Sequence, residues 1–153
     1  MNKPLGEVMP VNPYIEAMCC ESQDVNPLFN LIGARLLFAK DGAASIELPV
    51  SHCLTQGQGA VAGGVLATLA DEAMAHAVIS LLDGKHTVTT EMNIRFLRAT
   101  DPDKGGTLTA TAKVVKPGRS ILVAEANIHD DAGRLLVTAG GSFFVVEPKK
   151  GAQ

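Results

Sequence analysis

The segment that decides the fold runs from Thr55 to Lys85 and reads TQGQGAVAGGVLATLADEAMAHAVISLLDGK. It opens as a glycine-rich loop. From Gly64 to about Leu82 it has the composition of one strong helix, stopped by Asp83-Gly84. A surface helix normally keeps a polar face. Here the only polar side chains in the helical stretch are Thr68, Asp71, Glu72, His76 and Ser80, and they form no wide stripe. A helix apolar nearly all round must be enclosed.

The flanking segments can supply the enclosure. LFNLIGARLLFAKDGAASIELPVS, residues 28–51, reads as two strands. Ile32, Ala34, Leu36 and Phe38 alternate on the first, Ile46 and Leu48 on the second, and Asp41-Gly42 is a hairpin turn between them. From His86 the period is two. Val88, Thr90, Met92, Ile94 and Phe96 face one way, and Thr87, Thr89, Glu91, Asn93 and Arg95 the other. GGTLTATAKVVK is a Thr-rich strand, Pro117-Gly118 turns it into RSILVAEANIHD, and Asp131 to Gly133 turns that into RLLVTAGGSFFVVE. Strands joined by short turns are antiparallel. The expected fold is therefore α+β: one long buried helix wrapped by a curved antiparallel sheet, the hotdog arrangement. Gly105-Gly106 and Gly140-Gly141 would let strands bend around the helix. One helix face would stay open for a second subunit to cover.

With 153 residues and no internal repeat or linker, the chain reads as a single domain, 1–153. Residues 1–25 form a leader holding a short helix from Pro13 to about Cys20, ended by Asn26-Pro27, and residues 148–153 a loose tail. The composition, 46% hydrophobic and 19% charged with a net charge of −3, is that of a soluble protein. No Trp and a single Tyr leave little for stacking on bases, so nucleic acid is not an expected partner. No apolar run is free of charge for the ~18 residues of a membrane span, Asp71 and Glu72 interrupting the nearest candidate. The start has no apolar signal segment, and three cysteines, Cys19, Cys20 and Cys53, suit reduced thiols; the expected location is cytoplasmic.

Chemistry concentrates in the loop and helix. GQGAVA, residues 57–62, fits a dinucleotide-binding spacing, but the repeated strand–helix units of that fold are missing. The better reading is a helix N-terminus offering free backbone N–H groups at Gly63 and Gly64, where a carbonyl can be polarised. Asp71 lies on a face with Gly64, Ala67, Thr68, Met74, Ala75 and Val78, and a carboxylate among apolar and small groups costs free energy unless paired or used. It is the candidate general base. Glu72, about 100° round the helix, can pair with His76 at i+4 and reads as structural. Gly63 and Asp71 are eight residues apart, about 12 Å along a helix. One subunit cannot readily bring both to one reacting carbonyl, whereas two antiparallel helices related by a two-fold axis can. A homodimer with two composite sites is expected.

GQGAVAGGVLATLADEAMAHAV followed by TVTTEMNIRFLRATDPDKGGTLTATAKVVKPGRS resembles the hotdog-fold acyl-CoA thioesterases of the phenylacetate-degradation type, within the 4-hydroxybenzoyl-CoA thioesterase-like superfamily. The likeness extends over about residues 26–147. It implies hydrolysis of an aryl or medium- to long-chain acyl-CoA, with CoA as part of the substrate, no separate cofactor and no metal. By the resemblance, Asp71 acts as base on water or as nucleophile, and the Gly63 N–H polarises the thioester carbonyl. Gln56 stands where the family has an Asn or Gln contacting the carbonyl or water. Thr89 stands where some members have a Ser or Thr near the carboxylate of the same subunit. The family usually reads His-Gly-Gly at the helix start; Ala62-Gly63-Gly64 departs from it, and the imidazole that would position the carbonyl is missing. Ala62 and Gly64 would then border the substrate, and assembly as a dimer of dimers is expected.

Six bases, Arg95, Arg98, Lys104, Lys113, Lys116 and Arg119, face only Asp101 and Asp103 between residues 95 and 119. Such a patch suits CoA phosphates, with Arg98, Lys116 and Arg119 as the candidate contacts. Two other readings stand beside hydrolysis: an acyl-CoA-binding protein without turnover, and a hotdog dehydratase or hydratase.

Overall fold

The computed structural model describes residues 12–19 and 25–148. The expected features at residues 1–11, 20–24 and 149–153, Cys20 among them, lie outside the described residues. In chain order the elements are α1 Pro13–Met18, α2 Pro27–Ile32, β1 Arg35–Lys40, β2 Ala43–Pro49, α3 Gly63–Ile79, β3 His86–Phe96, β4 Thr107–Lys116, β5 Ile121–His129 and β6 Leu135–Val146. The six strands form one antiparallel sheet in the order β1-β2-β4-β5-β6-β3, and α3 packs along it. This is the hotdog arrangement, α+β.

Alternation drives the sheet. Leu108, Ala110 and Ala112 on β4 and Leu122, Ala124, Ala126 and Ile128 on β5 are buried against α3, which contributes Leu66, Leu69, Ala70, Ala73, Met74, Ala77 and Val78 to the same core. Small residues at the contact let helix and sheet approach. A Cβ at Gly141 on β6 would sit 3.0 Å from the Glu91 carbonyl oxygen and 3.4 Å from Met74 Cε, so a side chain there would crowd the β3 backbone and the Met74 tip. Gly105 and Gly106 do not bend a strand as expected. With φ of 62° and 98° they belong to the loop before β4. Asp41 and Gly42, φ 52° and 79°, make the β1–β2 turn, the positive-φ pair that hairpins favour.

Three strand expectations are corrected. Ile32 lies in a helix, because Pro27 opens α2 at its first turn and Gly33, in left-handed conformation, closes it. On β1, Leu36 pairs with Ile46 and the next paired residue is Phe38 with Ser45. Leu37 is the inserted residue of a bulge, so Ala39 turns inward and Phe38 outward. The same device acts on β3, where Thr89 pairs with Phe143 and Glu91 with Ser142, leaving Thr90 as the extra residue. Strand neighbours share a face. Thr89 therefore points with buried Phe143 to the helix side, whereas Glu91 joins the outer face and Met92, Ile94 and Phe96 return inward. The two uninterrupted faces read from period two are thus spliced at Thr90.

The N-terminal residues cover one flank of α3. Ile15, Met18 and Phe29 are buried in the core. Asn12 caps α1 by accepting from the Tyr14 N–H at 2.9 Å, and its Nδ2 donates to the Leu82 carbonyl at 2.8 Å, just past the end of α3. The opposite flank, Gly64, Ala67, Thr68, Asp71 and Ala75, stays partly or fully open, as expected of a helix with one uncovered face.

Candidate active site

The helix start follows from what its backbone cannot satisfy within the chain. The Ala62 carbonyl accepts from Val65 and Leu66 N–H, at 3.0 and 3.2 Å, and Ala62 contributes no side-chain cap. The Gly63 and Gly64 N–H groups have no partner among the described residues. Neither glycine has a positive φ. A Cβ at Gly64 would meet nothing within 4 Å, and one at Gly63 would make ordinary contact with the Phe96 ring at 3.5 Å. The subunit's own packing therefore does not require glycine at either position, although glycine costs up to about 1 kcal/mol in a helix relative to alanine.

Asp71 lies two turns further on, half-buried on the uncovered flank. The bulge on β3 turns Thr89 toward it, and the Thr89 hydroxyl donates to Asp71 Oδ1 at 2.7 Å. No hydrogen bond to Oδ2 is found among the described residues. Gln56 sits in the loop closed by the Thr55–Val61 bridge, its Oε1 accepting from the Gln58 N–H. His52, the nearest candidate to replace the missing imidazole, is turned to Asp103, Nε2 to Oδ1 3.3 Å.

Glu72 and His76 belong to a buried network instead. His76 is 1% exposed, and its Nδ1 lies 2.7 Å from the Glu72 backbone carbonyl. A carbonyl only accepts, so Nδ1 carries the proton and Nε2 accepts from the Tyr14 hydroxyl at 3.1 Å. The expected side-chain pair is loose, 3.7 Å, because Asn26 Nδ2 holds the Glu72 carboxylate at 3.1 Å and also donates to the Tyr14 oxygen at 3.0 Å. Burial pushes the Glu72 carboxyl up, the Asn26 hydrogen bond pulls it down, and the neighbouring Asp71 charge adds an upward push. Sequence reading missed Tyr14 and Asn26; Asn26 lies directly before the helix-opening Pro27, but nothing local marks either as a partner of α3.

This network predicts an acid-sensitive fold. Burial lowers the His76 pKa from 6.5 to about 4. Between those values the unfolded chain binds a proton that the folded protein excludes, so stability falls as pH drops from 6.5 toward 4. The loss approaches about 3 kcal/mol at the lower end. Glu72 acts oppositely where its raised titration overlaps, since its ionisation is disfavoured in the folded state. Urea unfolding from pH 4 to 7 should show a rise with pH that His76→Asn flattens; an unchanged slope in that variant would exclude His76 as the cause.

The six bases do not form one patch within a subunit. Arg98 and Lys104 lie beyond the end of β3 that adjoins the start of β6, and the Arg98 Nη1 donates to the Leu135 carbonyl at 2.6 Å. Lys113, Lys116 and Arg119 lie at the β4–β5 turn, at the opposite end of the sheet. At about 3.3 Å per residue, the strands between separate the two groups by roughly 30 Å.

A sequence model of the thioesterase superfamily matches residues 58–137. The chain belongs to the thioesterase superfamily. The match includes α3, β3, β4 and β5 and ends at the start of β6. This thioesterase is 28% identical to the 1,4-dihydroxy-2-naphthoyl-CoA hydrolase of Listeria monocytogenes, over 78% of its own length and 95% of the relative's. Among solved structures it is similar to the PaaI protein of the phenylacetic acid degradation operon of E. coli, 27% identical with a TM-score of 0.74, covering 79% of this chain and 85% of that one. A thioesterase family protein from Silicibacter pomeroyi superposes with a TM-score of 0.77 at 26% identity, over 88% and 99% of the two chains. The protein is a hotdog thioester hydrolase. No helix among the described residues is long and apolar enough to cross a membrane.

Proposed function

We propose that the protein hydrolyses an acyl-CoA thioester at a site shared between two subunits. The observation that carries this reading is the placement of two N–H groups without a partner among the described residues, and one half-buried carboxylate, on a single helix. They are too far apart to meet at one carbonyl in one subunit, by the rise of about 1.5 Å per residue. A two-fold axis beside the open flank of α3 removes the difficulty. Gly63 N–H of one subunit then holds the carbonyl oxygen, and Asp71 of the other takes a proton from water as its oxygen attacks the carbonyl carbon. The oxyanion collapses, the C–S bond breaks, and the CoA thiolate leaves with that proton. Thr89 fixes Asp71 through Oδ1 and leaves Oδ2 for the water. Gln56 stands at the loop mouth to contact the carbonyl or the water, and Ala62 and Gly64 border them without filling the space.

The edge of the sheet supports the same axis. β3 is an eleven-residue edge strand whose free side has no pairing partner among the described residues. Long exposed edges are templates for pairing. Antiparallel pairing with a second β3 sets the Arg98 end of one subunit near the Lys116–Arg119 end of the other, so the divided bases become one phosphate site across the interface. The relative acting on 1,4-dihydroxy-2-naphthoyl-CoA favours a CoA ester as substrate.

The test is release of free thiol from a series of acyl-CoAs, from acetyl- to phenylacetyl- and long-chain esters. Turnover of at least one ester, with sedimentation at the dimer mass or above, supports the proposal. Hydrolysis of non-CoA thioesters alone, or a monomer at full activity, would overturn it.

A further inference from the structure

We infer that Phe96 is a specificity-determining residue, its ring forming the wall of the acyl site beside the Gly63 N–H; this rests on the function proposed above. Phe96 ends β3 on the inward face, paired with fully buried Val137, yet it is 52% exposed. An inward-facing aromatic side chain would ordinarily be covered. Its ring reaches the start of α3, where Phe96 Cε1 and Cζ are 3.5 Å from the place a Gly63 Cβ would take. A carbonyl oxygen accepting from the Gly63 N–H lies about 2.9 Å from that nitrogen. The ring and the bound carbonyl then stand beside the same residue, Gly63.

The other aromatic side chains cannot do this. Phe29 and Phe143 are fully buried, Phe38 and Phe144 lie on the outer face of the sheet, and Tyr14 is committed to His76 on the far flank of the helix. Among the described residues only Phe96 offers an open ring to the helix N-terminus. An aromatic ring packs best against another planar group, at offset or edge-to-face geometry, and such a pair contributes beyond its buried area. A flexible chain gains only the area. Phe96 therefore selects for an acyl group with a ring near the carbonyl over a linear chain of similar size.

The experiment compares kcat/KM for phenylacetyl-CoA and hexanoyl-CoA in the wild type, Phe96→Leu and Phe96→Ala, with the mass of each in solution. Leucine keeps an apolar side chain against Gly63 and removes the ring. The expected result is a fall in the phenylacetyl-to-hexanoyl ratio of roughly 2- to 10-fold in Phe96→Leu, the size of one aromatic pair. A further fall is expected in Phe96→Ala, with the assembly unchanged. An unchanged ratio in Phe96→Leu overturns the inference, as does dissociation of that variant, which would make Phe96 an interface residue. A wild type that hydrolyses neither ester while turning over no other CoA ester defeats the proposed function itself.

Discussion

Asp71→Asn is expected to reduce kcat by about 10²- to 10⁴-fold with little change in KM, the loss typical of a missing general base. The substitution isolates basicity because the site can accommodate its shape. The Thr89 hydroxyl donates to Oδ1 at 2.7 Å, and an asparagine oxygen can accept the same bond. Asp71 is half-buried on the open flank of α3, so exchange for an isosteric amide should alter stability by no more than about 1 kcal/mol. The Asp71 charge is among the influences that raise the neighbouring Glu72 carboxyl, so its removal also lets Glu72 ionise somewhat more readily. That change lies in the Asn26–Tyr14–His76 network and bears on stability, not on the thioester. Steady-state thiol release, with thermal unfolding as the check on folding, measures the effect. Full activity in Asp71→Asn would eliminate the carboxylate from the chemistry, as base and as nucleophile alike.

The helix was legible because an apolar run with no polar stripe admits only enclosure, and the strands because Asp41-Gly42, Pro117-Gly118 and Asp131–Gly133 punctuate alternating segments. The bulges were not. Alternation gives a period but cannot mark an inserted residue, so Thr90 and Leu37 passed as ordinary strand positions. The cost is functional, since the Thr90 insertion is what turns Thr89 toward Asp71. The N-terminal cover was hidden for a different reason. Tyr14 and His76 are 62 positions apart, and which buried polar groups meet is decided by packing, with no local signature. The α2 helix, by contrast, had a readable start and stop in Pro27 and Gly33, overridden by the apparent alternation through Ile32. The basic cluster misled because nearness along the chain is not nearness in space: Arg98 and Arg119 are separated by the full length of β4.

Gly63→Pro is the complementary large effect, expected to lower kcat by about 10²- to 10³-fold, the loss associated with one oxyanion donor. Proline deletes the N–H at the one place where a helix tolerates its absence. Gly63 is the first residue of α3, its N–H has no partner among the described residues, and proline is favoured at that position. Ala62 already has φ −62° and ψ 137°, the extended conformation that a residue before proline prefers. Gly63→Ala retains the N–H and adds a Cβ in ordinary contact with Phe96, so it separates loss of the donor from added bulk. Each defective subunit keeps what the other lacks: Asp71→Asn retains the donor, and Gly63→Pro retains the carboxylate. In hybrid dimers one of the two sites then has both groups, so unfolding and refolding an equal mixture should restore about a quarter of wild-type activity by random pairing. Neither variant refolded alone should recover. A mixture no more active than its components would place the donor and the base in the same subunit, and the two-fold site would have to be abandoned.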